Sequence, residues 1–248
     1  MTDIWESSVI AGMYGGFGIL HGIIGIAAGA YGGQKRIFRV GISNLIGHWA
    51  MCLGMILVFY GINSELSRWL SHAIGHAFIY YVVARAYSLK YIDAIFTAVL
   101  MGGAFFMPFL SVQLLGLEAR YLPFAAAVAM YVFGLLSLWV RCDKRYLWSL
   151  GFGFVYFGIV ALGGALYGLG YVASPLLYDS WSIETIYTYY FWMNTVVTII
   201  TLGLGTMGLA LLKSYYPTIH EMMLKYRQAQ DKKGYAKGSI TSKGDHEV

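Results

Sequence analysis

The stretch RWLSHAIGHAFIYYVVAR occupies residues 68–85 and is an apolar run with an arginine at each end. A run of this length predicts a helix that crosses a lipid bilayer, because about 20 helical residues span a hydrocarbon core of roughly 30 Å. Within it, His72 and His76 are four residues apart, so both imidazoles lie on one face of the helix, one turn apart. The stretch therefore predicts a membrane-spanning helix that carries ionisable groups.

The composition of the whole chain points to the same class of protein. Of its 248 residues, 58% are hydrophobic and only 12% are charged, and the mean hydropathy is +0.62. A soluble domain has about 25% charged residues, so this chain has too few charges to cover a surface that faces water. The net charge of +5 does not indicate nucleic-acid binding, because the basic residues are divided among short loops and a tail. The expected environment is a lipid bilayer.

The length and spacing of the apolar runs predict the architecture. Seven runs are long enough to cross the membrane, namely 8–31, 40–62, 68–88, 92–115, 122–140, 146–171 and 185–213. They are much longer than the strands of a transmembrane β-barrel, about ten residues, and they do not alternate between apolar and polar residues. The sequence therefore predicts an all-α bundle of seven transmembrane helices over residues 1–213. Residues 214–248 are expected to form a cytoplasmic tail, in part an amphipathic helix and in part disordered.

The distribution of positive charge predicts how the bundle is oriented. All lysines and arginines except Arg68 and Arg120 fall in the loops after the first, third and fifth runs, or at the end of the seventh run and in the tail. Cytoplasmic loops of membrane proteins carry an excess of Lys and Arg. We therefore expect the N-terminus outside, the C-terminus in the cytoplasm, and a multi-pass location in the plasma membrane.

The first run contains glycine pairs with the G-x-x-x-G spacing, which lets two helices approach closely in lipid. The pairs are Gly12 with Gly16, Gly18 with Gly22, Gly25 with Gly29, and Gly29 with Gly33. We expect these glycines to pack against a neighbouring helix of the same chain. Contact between two copies of the chain is the alternative.

Histidines are the only ionisable side chains predicted to lie deep in the membrane. His21 and His48 both lie roughly 20 Å from the outer ends of their runs, at a rise of about 1.5 Å per residue. His76 and His72 lie closer to the outer surface, at roughly 12 and 6 Å. Ionisable residues inside a membrane are costly and are often functional. His21 and His48 are therefore the best-matched candidate pair.

The candidate site residues are His21, His48 and His76, and the leading cofactor hypothesis is one haem b. A low-spin haem needs two imidazoles on opposite faces of the porphyrin, commonly from different helices. His21 and His48 would ligate the iron, with His76 as an alternative ligand. Glycines beside them would make room for the porphyrin ring, namely Gly18, Gly22, Gly25 and Gly47. Close contact between the two helices would, however, leave little space for it.

Three other interpretations remain open. The same three imidazoles would suit a zinc or copper ion, but a depth difference of roughly 8 Å strains that arrangement. In the second interpretation, each histidine is neutral and forms a hydrogen bond across a helix interface. In the third, the histidines carry protons in a transporter or sensor. Retinal proteins share the seven-span plan, but the seventh run has no lysine at its centre for a Schiff base.

The sequence favours a membrane subunit of a multi-protein redox complex of the respiratory type, with other membrane or peripheral subunits as partners. Deep histidines, short loops and a basic cytoplasmic face support that hypothesis. A small-solute or ion transporter, a sensor without retinal and a cofactor-free structural subunit are the alternatives. No residue is predicted to be catalytic.

Overall fold

The fold is all-α, as predicted from the sequence. A computed structural model describes residues 2–32, 35–114, 116, 119–142, 147–173, 176, 179–215 and 227–229. Within these ranges, the helices of more than 20 residues are α1 (Thr2–Gly32), α2 (Lys35–Phe59), α3 (Ser64–Ala86), α4 (Tyr91–Leu114), α5 (Tyr121–Arg141), α6 (Leu147–Val172) and α7 (Ile183–Tyr215). Each predicted run overlaps one of these helices. The amphipathic helix and the disorder predicted for residues 214–248 fall almost wholly outside the described residues.

The described residues include four segments that are long and apolar enough to cross a membrane. They are Ser8–Ala30, Phe38–Phe59, Tyr91–Gln113 and Tyr121–Arg141, and they lie in α1, α2, α4 and α5. The chain is therefore a multi-pass membrane protein. Membrane crossing by the other three long helices, and the orientation of the bundle, remain predictions.

Helix α3 is the central helix of the bundle, and it contains the stretch 68–85. It begins at Ser64, directly after Asn63, which adopts a left-handed conformation with φ of 41°. It packs against α2, α4 and α7. Arginines and histidines make α3 less apolar than its neighbours, and its central position turns many of its side chains toward protein rather than lipid.

Glycines fix the contact between α1 and α2. A side-chain carbon added at each glycine would meet a residue of α2, in the pairs Gly18–Trp49, Gly22–Leu45, Gly25–Gly41 and Gly29–Phe38. From one contact pair to the next, the residue number in α1 increases while the residue number in α2 decreases, so the two helices are antiparallel. The prediction that these glycines pack against the same chain is confirmed.

The remaining glycines of the first run behave differently. An added carbon at Gly12 or Gly16 would have nothing within 4 Å, and both positions are exposed. Gly33 lies outside the described residues. The G-x-x-x-G pairs of α1 therefore separate into a packed set in its second half and an exposed pair near its start.

Candidate functional site

The four histidines of α1, α2 and α3 come together in the interior of the bundle. His21, His48 and His76 are 2%, 0% and 0% exposed, and His72 is half-buried. His48 and His76 lie near the midpoints of α2 and α3. Buried ionisable side chains in a membrane protein are costly and often functional, so this cluster is the candidate site.

His21 and His48 are in direct contact across the α1–α2 interface. Their ring centroids are 5.1 Å apart and the ring planes are nearly perpendicular, at 81°. His21 Nδ1 and His48 Nε2 are buried without a hydrogen-bond partner. The structure therefore brings together the two residues that the depth estimate paired.

Three of the imidazoles are oriented by the helix backbone. The Nδ1 atoms of His48, His72 and His76 donate to carbonyl oxygens one turn earlier, on Asn44, Arg68 and His72, at 2.7, 2.8 and 2.8 Å. A carbonyl oxygen can only accept, so each Nδ1 carries the hydrogen and, in the neutral ring, each Nε2 carries a lone pair. These histidines therefore present oriented proton acceptors to their neighbours.

Tyr14 connects the two halves of the histidine cluster. Its ring lies 6.3 Å from that of His48 and 5.8 Å from that of His72, centroid to centroid. Its hydroxyl donates to His72 Nε2 at 3.5 Å. Sequence reasoning missed Tyr14, although it precedes His21 by seven residues and so shares a face of α1 with it.

His76 of α3 packs against α4 and α7. Thr201 donates to its Nε2 at 3.2 Å, and the ring stacks on Phe105 with centroids 3.7 Å apart. The rings of His72 and Tyr80 lie 6.1 and 6.4 Å from it, centroid to centroid, and both are stacked on it. His72, His76 and Tyr80 follow one another at intervals of four residues on one face of α3.

The polar chain continues from α3 to α5. The hydroxyls of Tyr80 and Tyr131 are hydrogen-bonded to each other, and Tyr131 donates to the carbonyl of Phe157 at 3.2 Å. We call the connected set the histidine–tyrosine row; it consists of His21, His48, Tyr14, His72, His76, Tyr80 and Tyr131. Imidazoles and phenols both donate and accept protons, so each member of the row carries a group that can take part in proton transfer.

A small cavity lies beside His72 of the row. Its volume is about 30 Å³, and Arg68, Asn194 and Thr198 contribute to its lining. A cavity of at least about 10–15 Å³ can hold a water molecule if polar partners are present. The structure therefore offers space for water where α3 enters the bundle.

A second polar group lies between α4 and α5. Thr97 and Ser137 are hydrogen-bonded at 2.9 Å, Arg141 donates to Ser137 at 3.0 Å, and Arg141 pairs with Asp93 at 3.4 Å. Ser137 follows Tyr131 by six residues, so roughly 9 Å of helix separates this group from the row.

An apolar layer fills the interval between the two polar groups. Met101 of α4 is fully buried and lies against Gly134 of α5, where an added carbon would come within 2.6 Å of the Met101 side chain. This Met101–Gly134 layer lies between the level of Tyr131 and the level of Ser137. In the described parts of α4 and α5, this layer therefore separates Tyr131 from Ser137.

The geometry of His21 and His48 does not fit a haem between them. Two nitrogen–iron bonds of about 2 Å each would place the ring centroids roughly 6 Å apart with the porphyrin in between. The observed rings touch edge to face at 5.1 Å. His76 is also not placed to ligate a haem iron, because its Nε2 accepts a hydrogen bond from Thr201 and Phe105 covers one face of its ring.

The glycines expected to make room for a porphyrin are also occupied. Added carbons at Gly18, Gly22, Gly25 and Gly47 would lie within 2.7–3.0 Å of residues on neighbouring helices. These glycines serve close helix packing. The haem b hypothesis stays a prediction, which the absorption spectrum of the protein tests.

A metal site built from three imidazoles is not apparent. Among the described residues, no group of three or more His, Cys, Asp or Glu side chains is placed to hold a metal ion. His21 and His48 contact each other, whereas His76 is hydrogen-bonded to the His72 carbonyl and to Thr201.

Comparison with protein-family models, with curated proteins and with solved structures finds no match for this chain. The chemistry of the buried residues is therefore the basis for proposing a function. Oriented imidazoles and hydroxyls inside a membrane are typical of proton relays.

Proposed function

We propose that this protein is a membrane subunit of a multi-protein redox assembly, and that the histidine–tyrosine row transfers protons between one membrane face and the centre of the bilayer. The observation that carries the proposal is the row itself. Three of its imidazoles, those of His48, His72 and His76, have Nδ1 fixed on backbone carbonyls. Hydroxyls of Tyr14 and Thr201, from neighbouring helices, donate to Nε2 of His72 and His76. Histidine is the side chain best suited to carry protons near neutral pH.

The proposed topology has seven spans, with the N-terminus outside and the C-terminus in the cytoplasm of a plasma-membrane protein. In this topology the row starts near the outer surface, where α3 begins, and reaches Tyr131 at mid-membrane. Asp93 and Arg141 then lie at the cytoplasmic end of the bundle. The supporting observation is the bias of Lys and Arg toward one set of loops.

The Met101–Gly134 layer supports a role in a redox assembly rather than that of an open channel. A hydrophobic constriction excludes water and blocks ions. A proton path that stops at the bilayer centre delivers protons to a reaction there, as reactions of lipid-soluble electron carriers require. The basic cytoplasmic loops provide a surface on which partner subunits would dock.

Potential-driven proton uptake tests this assignment. Wild-type protein in liposomes loaded with a pH-sensitive dye is given a membrane potential with valinomycin and a potassium gradient. We expect uptake close to that of protein-free liposomes, because the apolar layer interrupts the path. Purification in mild detergent should retain subunits that carry redox cofactors. Purification as a single chain, with no such subunits in the membrane extract, would contradict the redox assignment.

An ion or small-solute transporter is the second candidate. The group formed by Asp93, Thr97, Ser137 and Arg141 favours it, because a rearrangement of the Met101–Gly134 layer would join that group to the row. Uptake by wild-type protein well above the protein-free rate would favour this candidate over the redox subunit.

The haem hypothesis makes a separate spectroscopic prediction. Because His21 and His48 touch edge to face, we expect the reduced-minus-oxidised spectrum of the purified chain to lack a b-type band. A b-type band that disappears in both His21→Ala and His48→Ala would establish the haem and overturn the assignment of these two residues to the proton path.

A further inference from the structure

A groove runs between α2, α3 and α4 at the end of the bundle where α2 and α4 begin, and its volume is about 660 Å³. Arg39 of α2 and Tyr91 of α4 lie on its lining. Both are at the start of candidate membrane-spanning segments, Phe38–Phe59 and Tyr91–Gln113. This end of the groove therefore lies at the boundary between the membrane and water.

The groove continues from this boundary into the apolar part of the membrane. Val99 is also on the lining and follows Tyr91 by eight residues on α4, so it lies roughly 12 Å deeper. Ile42, Phe78 and Ile95 contribute to the lining as well. Ile95 and Val99 are 39% and 61% exposed. An apolar surface that is open to lipid over this length suits an acyl chain, because the chain stays out of water there.

The boundary end of the groove carries an available positive charge. Arg39 is exposed, and its side chain forms no ion pair or hydrogen bond with any residue that the structure describes. Arginine lays its apolar stem along a protein surface and extends its guanidinium into the polar region. A guanidinium binds a phosphate through two parallel hydrogen bonds. Arg39 can therefore hold a phosphate at the level where lipid headgroups lie.

Two tyrosines accompany Arg39 at this end. Tyr81 and Tyr91 both line the groove, and their rings pack edge to face with centroids 6.2 Å apart. Tyrosine is enriched where a membrane protein crosses the headgroup region. The pair supports the assignment of this end of the groove to the headgroups.

We propose that this groove binds one anionic phospholipid, with its phosphate at Arg39 and an acyl chain along Ile95 and Val99. Basic pockets between transmembrane helices recognise acidic headgroups. A soluble phosphate compound would leave the apolar length of the groove empty, and a neutral phospholipid offers no net charge to Arg39. The site is separate from the histidine–tyrosine row, since no residue of the row is among the described residues that line the groove.

Native mass spectrometry tests the proposal on protein released from detergent micelles that contain graded amounts of one added lipid. We expect palmitoyl-oleoyl phosphatidylglycerol to fill one site per chain. Its dissociation constant should be at least about fivefold below that of palmitoyl-oleoyl phosphatidylcholine, which has the same chains but no net charge. Equal dissociation constants would show that the groove takes acyl chains regardless of charge, and would overturn the proposal.

Replacement of Arg39 tests the headgroup contact. Arg39→Gln should weaken phosphatidylglycerol binding about fivefold. Lys35→Gln is the matched control, because Lys35 is an exposed cation at the same end of α2 but is not on the groove lining. It should bind like wild type. Equal weakening in the two variants would show general attraction to the basic end of the bundle, and would contradict a site at Arg39.

Replacement of Val99 tests the position of the acyl chain. Val99→Trp fills the deep end of the groove and should weaken phosphatidylglycerol binding at least about fivefold. Val140→Trp should bind like wild type, because Val140 is exposed on α5 and is not on the groove lining. If Val99→Trp folds poorly, as judged by gel filtration, Ile95→Trp fills the groove one turn earlier. Unchanged binding in the folded variant would contradict the proposal.

Glycerol phosphate separates a lipid from a soluble phosphate compound as the ligand. It carries the phosphate of the headgroup without the acyl chains. In large excess, it should leave phosphatidylglycerol bound to the protein. Displacement of the lipid would show that the site recognises the phosphate alone, and would overturn the assignment to a phospholipid.

Discussion

Replacing Gly41 with leucine is expected to separate α1 from α2 and to destabilise the protein by about 3 kcal/mol or more. A carbon added at Gly41 would lie 2.5 Å from Gly25 Cα and 2.7 Å from the carbonyl oxygen of His21. Both neighbours are backbone atoms, which cannot move aside as a flexible side chain can. Because His21 and His48 meet across this interface, the same change should also disrupt their contact.

Gly12→Leu provides the matched control for this effect. Gly12 is also a helical glycine, but an added carbon there would meet nothing within 4 Å. Unfolding in mixed micelles with increasing SDS, followed by tryptophan fluorescence, measures both variants. Gly41→Leu should unfold at a much lower SDS fraction than Gly12→Leu. Equal stability of the two variants would contradict the α1–α2 packing.

Replacing Met101 with serine is expected to open a proton leak. The change places a small hydroxyl between the levels of Tyr131 and Ser137, where the described structure has a tightly packed apolar layer. Water and protons cross polar constrictions far more readily than apolar ones. Potential-driven proton uptake into liposomes should rise on the order of tenfold over wild type.

Met130→Ser controls for general loosening of the α4–α5 seam. Met130 is half-buried and lies beside Gly103 of α4, where an added carbon would come within 2.7 Å of its methyl group. It is not part of the Met101–Gly134 layer. Its replacement should leave proton uptake at the wild-type level. A leak of equal size in Met130→Ser would show that the effect arises from weakened packing.

The helices themselves are predictable from the sequence because membrane spans are encoded locally. Every apolar run overlaps a helix, and α3 forms where the stretch 68–85 predicts it. The G-x-x-x-G spacing also predicts close packing in α1. It does not identify the partner helix, and it does not separate the packed Gly25 from the exposed Gly12, because both have the same local sequence signal.

The site was predictable only in part. Helical rise placed His21 and His48 at the same depth, and the structure brings them into contact. The haem hypothesis expected the glycines beside these histidines to make room for a porphyrin, whereas residues of neighbouring helices fill that space. Tyr80 and Tyr14 carry a local signal, since each shares a helix face with a histidine. Thr201 and Tyr131 carry none, because only the packing of α7 and α5 brings them to the row.

Proton uptake by the double variant Met101→Ser/His76→Phe tests the central claim most directly. Phenylalanine preserves the ring that stacks on Phe105 but removes the proton-carrying nitrogens of His76. If the histidine–tyrosine row supplies the protons, the leak of Met101→Ser should fall to the wild-type rate in this double variant. It should persist in Met101→Ser/Tyr81→Phe, since Tyr81 lies outside the row and contacts Tyr91. An undiminished leak in the double variant with His76→Phe would contradict proton transfer along the row.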